Sequence, residues 1–200
     1  VTMPRRIDTE ERTEQIASAA LRVLERDGLA GMSVRGVAAE AGLAAASLRR
    51  AFPTQQALRE YCLELIEERV TARIIALDLS GRALVDELLA QLLPLDAQRR
   101  SELLAQVQLG VLSVTDHSLR PAAAMLNTSV DRACRSAIEI LVTAGQFGKR
   151  RDPGYETRRL RALLDGIAMQ GLWSGNPQVP PAQMLAMLAR HLDELARPEA

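Results

Sequence analysis

The chain has 200 residues, 48% of them hydrophobic, and its 25 basic residues balance 25 acidic ones to a net charge of zero. That apolar fraction supports a real core, which excludes disorder, and the neutral charge excludes a general packager of nucleic acid. Aromatic residues make up only 2%, alanine and leucine abound, and no run of alternating β-branched residues occurs, so the composition calls for close-packed helices.

In chain order, Ile16, Ala19, Ala20, Val23 and Leu24 recur at helical spacing, which predicts an amphipathic helix over residues 9–26. Glu10, Glu11 and Glu14 suit its N-terminal dipole end, and Gly28 stops it. Ser33 stands where an N-cap belongs, ahead of a second helix with the apolar stripe Val34, Val37, Ala38 and Ala41. Gly42 permits a tight turn, Leu43 plugs the angle between helices, and residues 44–52 form a third helix anchored by Leu48 and Phe52. At about 100° per residue, Ala46 and Arg50 turn away from those anchors, flanked by Ser47 and Arg49. Pro53 cannot continue the helix, so a fourth starts with Thr54 as N-cap and runs through Leu58, Tyr61, Leu65 and Val70. Three short helices with two outward arginines on the third are the plan of a helix-turn-helix DNA reader. Residues 1–58 hold eight arginines against seven acids, but Arg5, Arg6, Arg35, Arg49 and Arg50 lie on the N-terminal arm or the helix-turn-helix, while the acids gather mainly on the first helix.

This segment resembles the TetR/AcrR family of one-component transcriptional regulators. The pattern is Ile16, Ala19 and Ala20, then Gly28, Ser33-Val34, Val37-Ala38, Ala41-Gly42-Leu43, Leu48, Phe52-Pro53 and Ala57-Leu58, in register over about 47 residues. There are departures: Arg49 replaces a usual tyrosine, Gln55 a usual lysine, Ala44 a common serine and Ala51 a common aromatic. The resemblance implies an all-α protein of about nine helices. A helix-turn-helix domain over residues 1–55 is followed by a ligand-binding and dimerisation domain over residues 56–200. It further implies a homodimeric repressor in the cytoplasm that binds a pseudo-palindromic DNA operator and is released by a small-molecule effector, with no cofactor, metal or membrane. The expected DNA contacts are Arg5, Arg6, Ser33, Arg35, Ala45, Ala46, Ser47, Arg49, Arg50, Thr54 and Gln55. Ala45 and Ala46 are short enough to touch thymine methyls, and the arginines suit guanine edges. A helical sensor or adaptor that has lost operator binding is the alternative, carried by the departures at Arg49 and Gln55.

Beyond Leu79 the helices continue. Ser80-Gly81 punctuates, and Leu84, Leu88, Leu89, Leu92 and Leu93 make a short helix ended by Pro94. Asp96 caps the next, which carries Leu103, Leu104, Val107, Val111 and Leu112 to about Asp116. Pro121 opens another, through Met125, Leu126, Val130, Cys134, Ile138, Leu141 and Val142 to Gly145. A polar turn over residues 148–154 precedes the last two helices, over residues 156–173 and 181–196. The runs 163–172 and 187–193 are similar to the BetI-type C-terminal domain. Gln106, Gln108, Thr115, Asn127, Gln170 and Trp173 are the polar groups expected to orient an effector among aliphatic neighbours. Charged residues are sparse between Leu103 and Val130, so a largely apolar effector is expected. The apolar excess on the last two helices predicts a two-fold interface through Leu160, Leu164, Ile167, Gly171, Met184, Leu188 and Leu192.

Other classes find little support. The longest uncharged run, residues 166–189, is broken by Asn176-Pro177 and Pro180-Pro181, which argues against a membrane span. Cys62 and Cys134 lack metal or CxxC spacing and read as buried structural thiols, with a redox sensor as the other reading. His117 and His191 read as solvated or capping. Gly171-Leu172-Trp173-Ser174-Gly175 lacks the setting of a nucleophile elbow, and with no phosphate-cradling loop or metal cluster an enzyme is not expected.

Overall fold

A computed structural model describes residues 5–173 and 179–197, with side chains from Arg12 onward. Nine α-helices occur among these residues: α1 (Arg5–Gly31), α2 (Val34–Glu40), α3 (Ala45–Ala51), α4 (Gln55–Ile75), α5 (Gly81–Ala90), α6 (Ala97–Thr115), α7 (Arg120–Thr143), α8 (Pro153–Leu172) and α9 (Pro181–Ala196). No strand occurs among them. The chain forms two compact units, residues 1–69 and 70–200, and it passes from one to the other inside α4.

The first unit is built around helix stops that the sequence writes plainly. Gly28 adopts φ 69°, a left-handed conformation that interrupts α1 near its end. The Ser33 hydroxyl accepts from the Gly36 amide at 3.1 Å and caps α2. At the other end of α2, Gly42 takes φ 65°. There the Leu43 amide donates to the Ala38 carbonyl (2.8 Å) and the Gly42 amide to the Ala39 carbonyl (3.2 Å). That is a Schellman stop, and it sets the turn into α3. The Thr54 hydroxyl accepts from the Ala57 amide (3.0 Å) and starts α4. Leu24, Leu29, Met32, Val37, Leu48, Leu58 and Ile66 close the core of this unit. Glu40 at the end of α2 accepts from Arg22 (2.7 Å) and Arg26 (2.9 Å) of α1, and those hydrogen bonds, Arg22 first, hold its carboxyl below its usual range. The backbone is helical from Arg5, four residues ahead of the expected start, because no glycine or proline interrupts residues 5–27. The backbone of the two arginines read as an arm therefore belongs to α1.

In the second unit α7 packs against α5, α6 and α8, while α9 packs on α8 and α5. Val85, Leu89, Leu93, Ile138, Leu141, Leu160, Leu164, Leu188 and Leu192 interdigitate at its centre. Asp96 caps α6 by accepting from the Arg99 amide at 2.8 Å, and Asp152 caps α8 by accepting from the Gly154 amide at 2.8 Å. Pro153 sits at the first position of α8, where no amide is needed, so this helix starts three residues before expected. A short 3-10 turn, His117–Leu119, joins α6 to α7 and has no periodic signal in the sequence. The expected break at Asn176-Pro177 lies outside the described residues.

The expected two-fold seam needs correction. Leu160, Leu164, Ile167, Met184, Leu188 and Leu192 are each no more than 2% exposed within the single chain. Their apolar faces are used up in packing α8 and α9 on each other and on the rest of the unit. Gly171 is buried too: a Cβ there would lie 2.4 Å from the Met184 sulfur and 2.8 Å from Pro94 Cγ, so the glycine permits a close approach inside the protomer. Outward on the same helices lie Ala162, Gly166 and Trp173 of α8 with its C-cap, and Ala182, Leu185 and Ala186 of α9.

Candidate nucleic-acid interface and internal cavity

α3 has only seven residues, too few to hold a helix alone, so its presentation depends on Leu48, which is 1% exposed, and on Phe52, whose ring meets Tyr61 at a centroid distance of 5.0 Å. With that side anchored, Ala46, Arg49 and Arg50 are exposed, and Ala45 and Ser47 are half-buried beside them. Arg35 is exposed in the first turn of α2. Among the described residues none of Arg35, Arg49 and Arg50 has an ion-pair partner, whereas Arg22 and Arg26 on α1 are matched by Glu40 and Asp27. Three uncompensated arginines on one small unit make a basic surface on a neutral chain.

Ser33, Val34, Arg35, Arg49, Pro53 and Gln55 line one recess of about 220 Å³, which brings two of these arginines to a single concave spot beside the start of α2. Other expected contacts have work inside the unit. Ser33 and Thr54 spend their hydroxyls as caps, the Ser47 hydroxyl accepts from Arg12, and the Gln55 amide donates to the Met32 carbonyl at 2.5 Å. Arg12 is a residue that the sequence reading passed over; its spacing gives no sign that it reaches α3. The side chains of Arg5 and Arg6 lie outside the described residues.

The second unit holds a cavity of about 610 Å³ between α6, α7 and α8. Its apolar wall includes Leu92, Leu103, Val107, Leu126, Val130, Leu164 and Met169, and its polar groups are Gln106, Ser113, Asn127, Arg120, Arg161 and Asp165. Of the polar residues expected there, Gln106 and Asn127 are present and Gln108, Thr115, Gln170 and Trp173 are not among the lining. On α6, Gln108 and Thr115 lie about half a turn from Gln106, and on α8, Gln170 lies about half a turn from Arg161. Trp173 is 66% exposed at the end of α8. The wall carries more charge than the sparse charges between Leu103 and Val130 suggest, because α8 supplies Arg161 and Asp165 and the start of α7 supplies Arg120. The Arg161 guanidinium donates to Asp165 (2.8 Å), Asp131 (2.6 Å), the Asn127 carbonyl (3.1 Å) and Asn127 Oδ1 (2.7 Å).

Two further polar clusters are buried in the second unit and were missed in the sequence. Glu102 on α6 is 6% exposed and accepts two hydrogen bonds from Arg73 in the last turn of α4, at 2.9 and 2.7 Å, and one from Gln98. His191 on α9, read as solvated, is 7% exposed, and burial pushes its pKa below the ordinary 6.5. Arg151 beside it fastens the turn before α8 to α9, donating to Glu156 (3.0 Å) and to the Glu194 carbonyl (2.9 Å). Burial pushes the Cys62 and Cys134 thiols up to about 12, which makes both inert. Among the described residues no cluster of three or more metal-ligating side chains forms, and no helix is long and apolar enough to cross a membrane.

Comparison with known proteins joins these two units to one lineage. Residues 16–62 match the family model of bacterial regulatory proteins of the tetR family, and residues 81–197 match that of the BetI-type transcriptional repressor, C-terminal. The HTH-type transcriptional regulator PksA of Bacillus subtilis (strain 168) is 33% identical over 176 residues, covering 85% of this chain and 83% of that one. Among solved structures, a transcriptional regulator from Rhodococcus sp. Rha1 superposes with a TM-score of 0.74 at 23% identity, covering 91% of this chain and 94% of that one. A regulator from Saccharomonospora viridis in complex with choline gives 0.74 at 22% identity, covering 92% and 96%.

Proposed function

The chain belongs to the TetR family of transcriptional regulators, with a BetI-type C-terminal domain, and on that premise we propose that it is a homodimeric repressor released from its operator by a small molecule. Family membership makes it a DNA-binding regulator and not an enzyme. The observation that carries the finer reading is the unpaired arginine set on the first unit: Arg49 and Arg50 exposed on α3, and Arg35 exposed at the start of α2. Arginines that no carboxylate neutralises are available for guanine edges and phosphates, and the short Ala46 lets the helix approach the groove floor.

Two-fold pairing would present two α3 helices to a pseudo-palindromic site with half-sites about 34–36 Å apart, or a multiple. The exposed faces of α8 and α9, with Ala162, Gly166, Ala182, Leu185 and Ala186, are the surfaces we assign to that pairing. The cavity supports the effector part of the reading: at about 610 Å³ it falls in the range of roughly 300–1,000 Å³ that small-molecule sites occupy. Choline, held by the Saccharomonospora viridis relative, is a poor candidate, since no aromatic side chain lines the cavity to form a cage. An effector that favours a conformation unsuited to the operator weakens DNA binding by the same factor with which DNA weakens effector binding. Because the chain crosses between units inside α4, we assign the coupling to that helix, and we place the protein in the cytoplasm with its DNA.

The test is a mobility-shift titration on DNA upstream of the chain's own gene at several salt concentrations. Arg49→Ala and Arg50→Ala should each weaken the complex by about 1–3 kcal/mol with helicity preserved. Unchanged affinity in both would overturn the recognition-helix assignment. A native chain that binds no upstream DNA at low salt would favour the adaptor.

A further inference from the structure

The cavity wall sorts ligands by charge, through the way its polar groups are already committed. Arg161 can donate five N–H bonds and accept none. It spends four of them, on Asp165, Asp131, the Asn127 carbonyl and Asn127 Oδ1. The two carboxylates of this corner are thus engaged by one guanidinium, and Asn127 is held with its oxygen toward Arg161. Its amide nitrogen must then face the other way, and it has no acceptor among the described residues. Arg120 stands seven residues earlier on the same face of α7, about 10 Å along the helix. It is exposed, lines the cavity, and its guanidinium has neither an ion pair nor a hydrogen bond among the described residues. Ala123 and Ala124, between the two, leave the stripe open, and Leu103, Val107, Leu126 and Val130 supply an aliphatic bed.

The donors left unspent along α7 are a cation at Arg120 and an amide N–H at Asn127, with the Gln106 amide able to turn either way, while the carboxylate of the lining, Asp165, already faces Arg161. The complement of those donors is an oxygen-bearing anion on an apolar body. We propose that the effector is an amphipathic organic carboxylate whose carboxylate pairs with Arg120 and whose aliphatic part lies across the α6–α7 face, passing the Asn127 amide. This rests on the reading of the cavity as the effector site. It refines the largely apolar effector that the sequence alone favours by adding one anionic group.

The experiment uses the full chain and three probes of one length, decanoate, decan-1-ol and decylammonium, each followed by calorimetry and by release of the operator complex. Decanoate is expected to bind at least about tenfold more tightly than the other two, the worth of one charge-assisted hydrogen bond. Arg120→Gln should remove that advantage and leave decanol binding unchanged, which a merely structural role for Arg120 would not do. Asn127→Asp keeps the oxygen that Arg161 needs, removes the amide donor and adds a negative charge, so it should invert the order and admit decylammonium. If decylammonium or decanol binds the native chain best and releases the operator, the carboxylate assignment is overturned while the effector site stands. If decanoate binds with the expected dependence on Arg120 but the operator stays bound, the site's selectivity stands and its effector role falls.

Discussion

Replacing Leu188 by alanine and Leu185 by arginine separates the two sides of α9, three residues apart. Leu188 is 2% exposed and belongs to the core of the second unit, while Leu185 is 39% exposed. Truncating Leu188 forfeits about 0.8 kcal/mol for each methylene-sized group withdrawn from the core. The void adds a cavity term, and together they amount to about 2–5 kcal/mol. For a chain of this length that corresponds to a fall of roughly 4–20 °C in melting temperature. The loss should appear in thermal and urea melts at every protein concentration. Leu185→Arg alters a position that the protomer does not need, so far-UV circular dichroism should stay native. Sedimentation should then show monomers that bind the operator weakly. A folded monomer from a charged replacement at Leu188, or an undiminished dimer from Leu185→Arg, would refute the assignment of inner and outer faces.

Glu102→Gln should lower the urea midpoint by the equivalent of about 1.5–3 kcal/mol with the slope unchanged, because the Arg73 guanidinium, 27% exposed, loses its charged acceptor but keeps Gln91. Burial, followed by Arg159, holds His191 below its unfolded value of 6.5, against the pull of Glu156 and Glu194. On acidification the unfolded chain is protonated first. The stability contributed by the neutral imidazole is therefore complete above about pH 6.5 and is lost as pH falls toward the folded value. Melting temperature should decline from about pH 7 to about pH 5, and His191→Leu should flatten that part of the profile; an unchanged slope would remove His191 from the account. Both thiols should react with a thiol reagent at pH 8 only as fast as the protein opens, and rapid labelling of the native chain would contradict their burial.

The helix-turn-helix was legible because its stops are local. Gly28, Ser33, Gly42 and Thr54 each impose a backbone event that no distant contact has to complete, and the structure places all four where the sequence does. The second unit was legible in its helix order but not in its faces. Periodicity marks Leu160, Leu164 and Leu188 as apolar and says nothing of whether their neighbour is another helix of the same chain or of a copy. The cavity was half legible for the same reason: Gln106 and Asn127 were found, but Arg161 and Asp165 look like an ordinary i,i+4 surface pair until α7 is laid beside α8. His191 gave no signal, since one histidine in the run Arg190-His191-Leu192 reads alike whether its ring faces solvent or is buried.

In α3 the residues that hold the helix and those that would read DNA are almost disjoint. Leu48 and Phe52 keep it in place, while the exposed Ala46, Arg49 and Arg50 hold up nothing else among the described residues. Substitutions at such exposed positions change stability by about 0.5 kcal/mol or less. Descendants of this gene can thus sample new operator sequences with little thermodynamic penalty, so divergence in target choice is expected to outrun divergence in fold. Ser47 is the exception: its hydroxyl already receives Arg12, so a change there disturbs α1 and recognition together and should be the slowest of the α3 surface positions to drift.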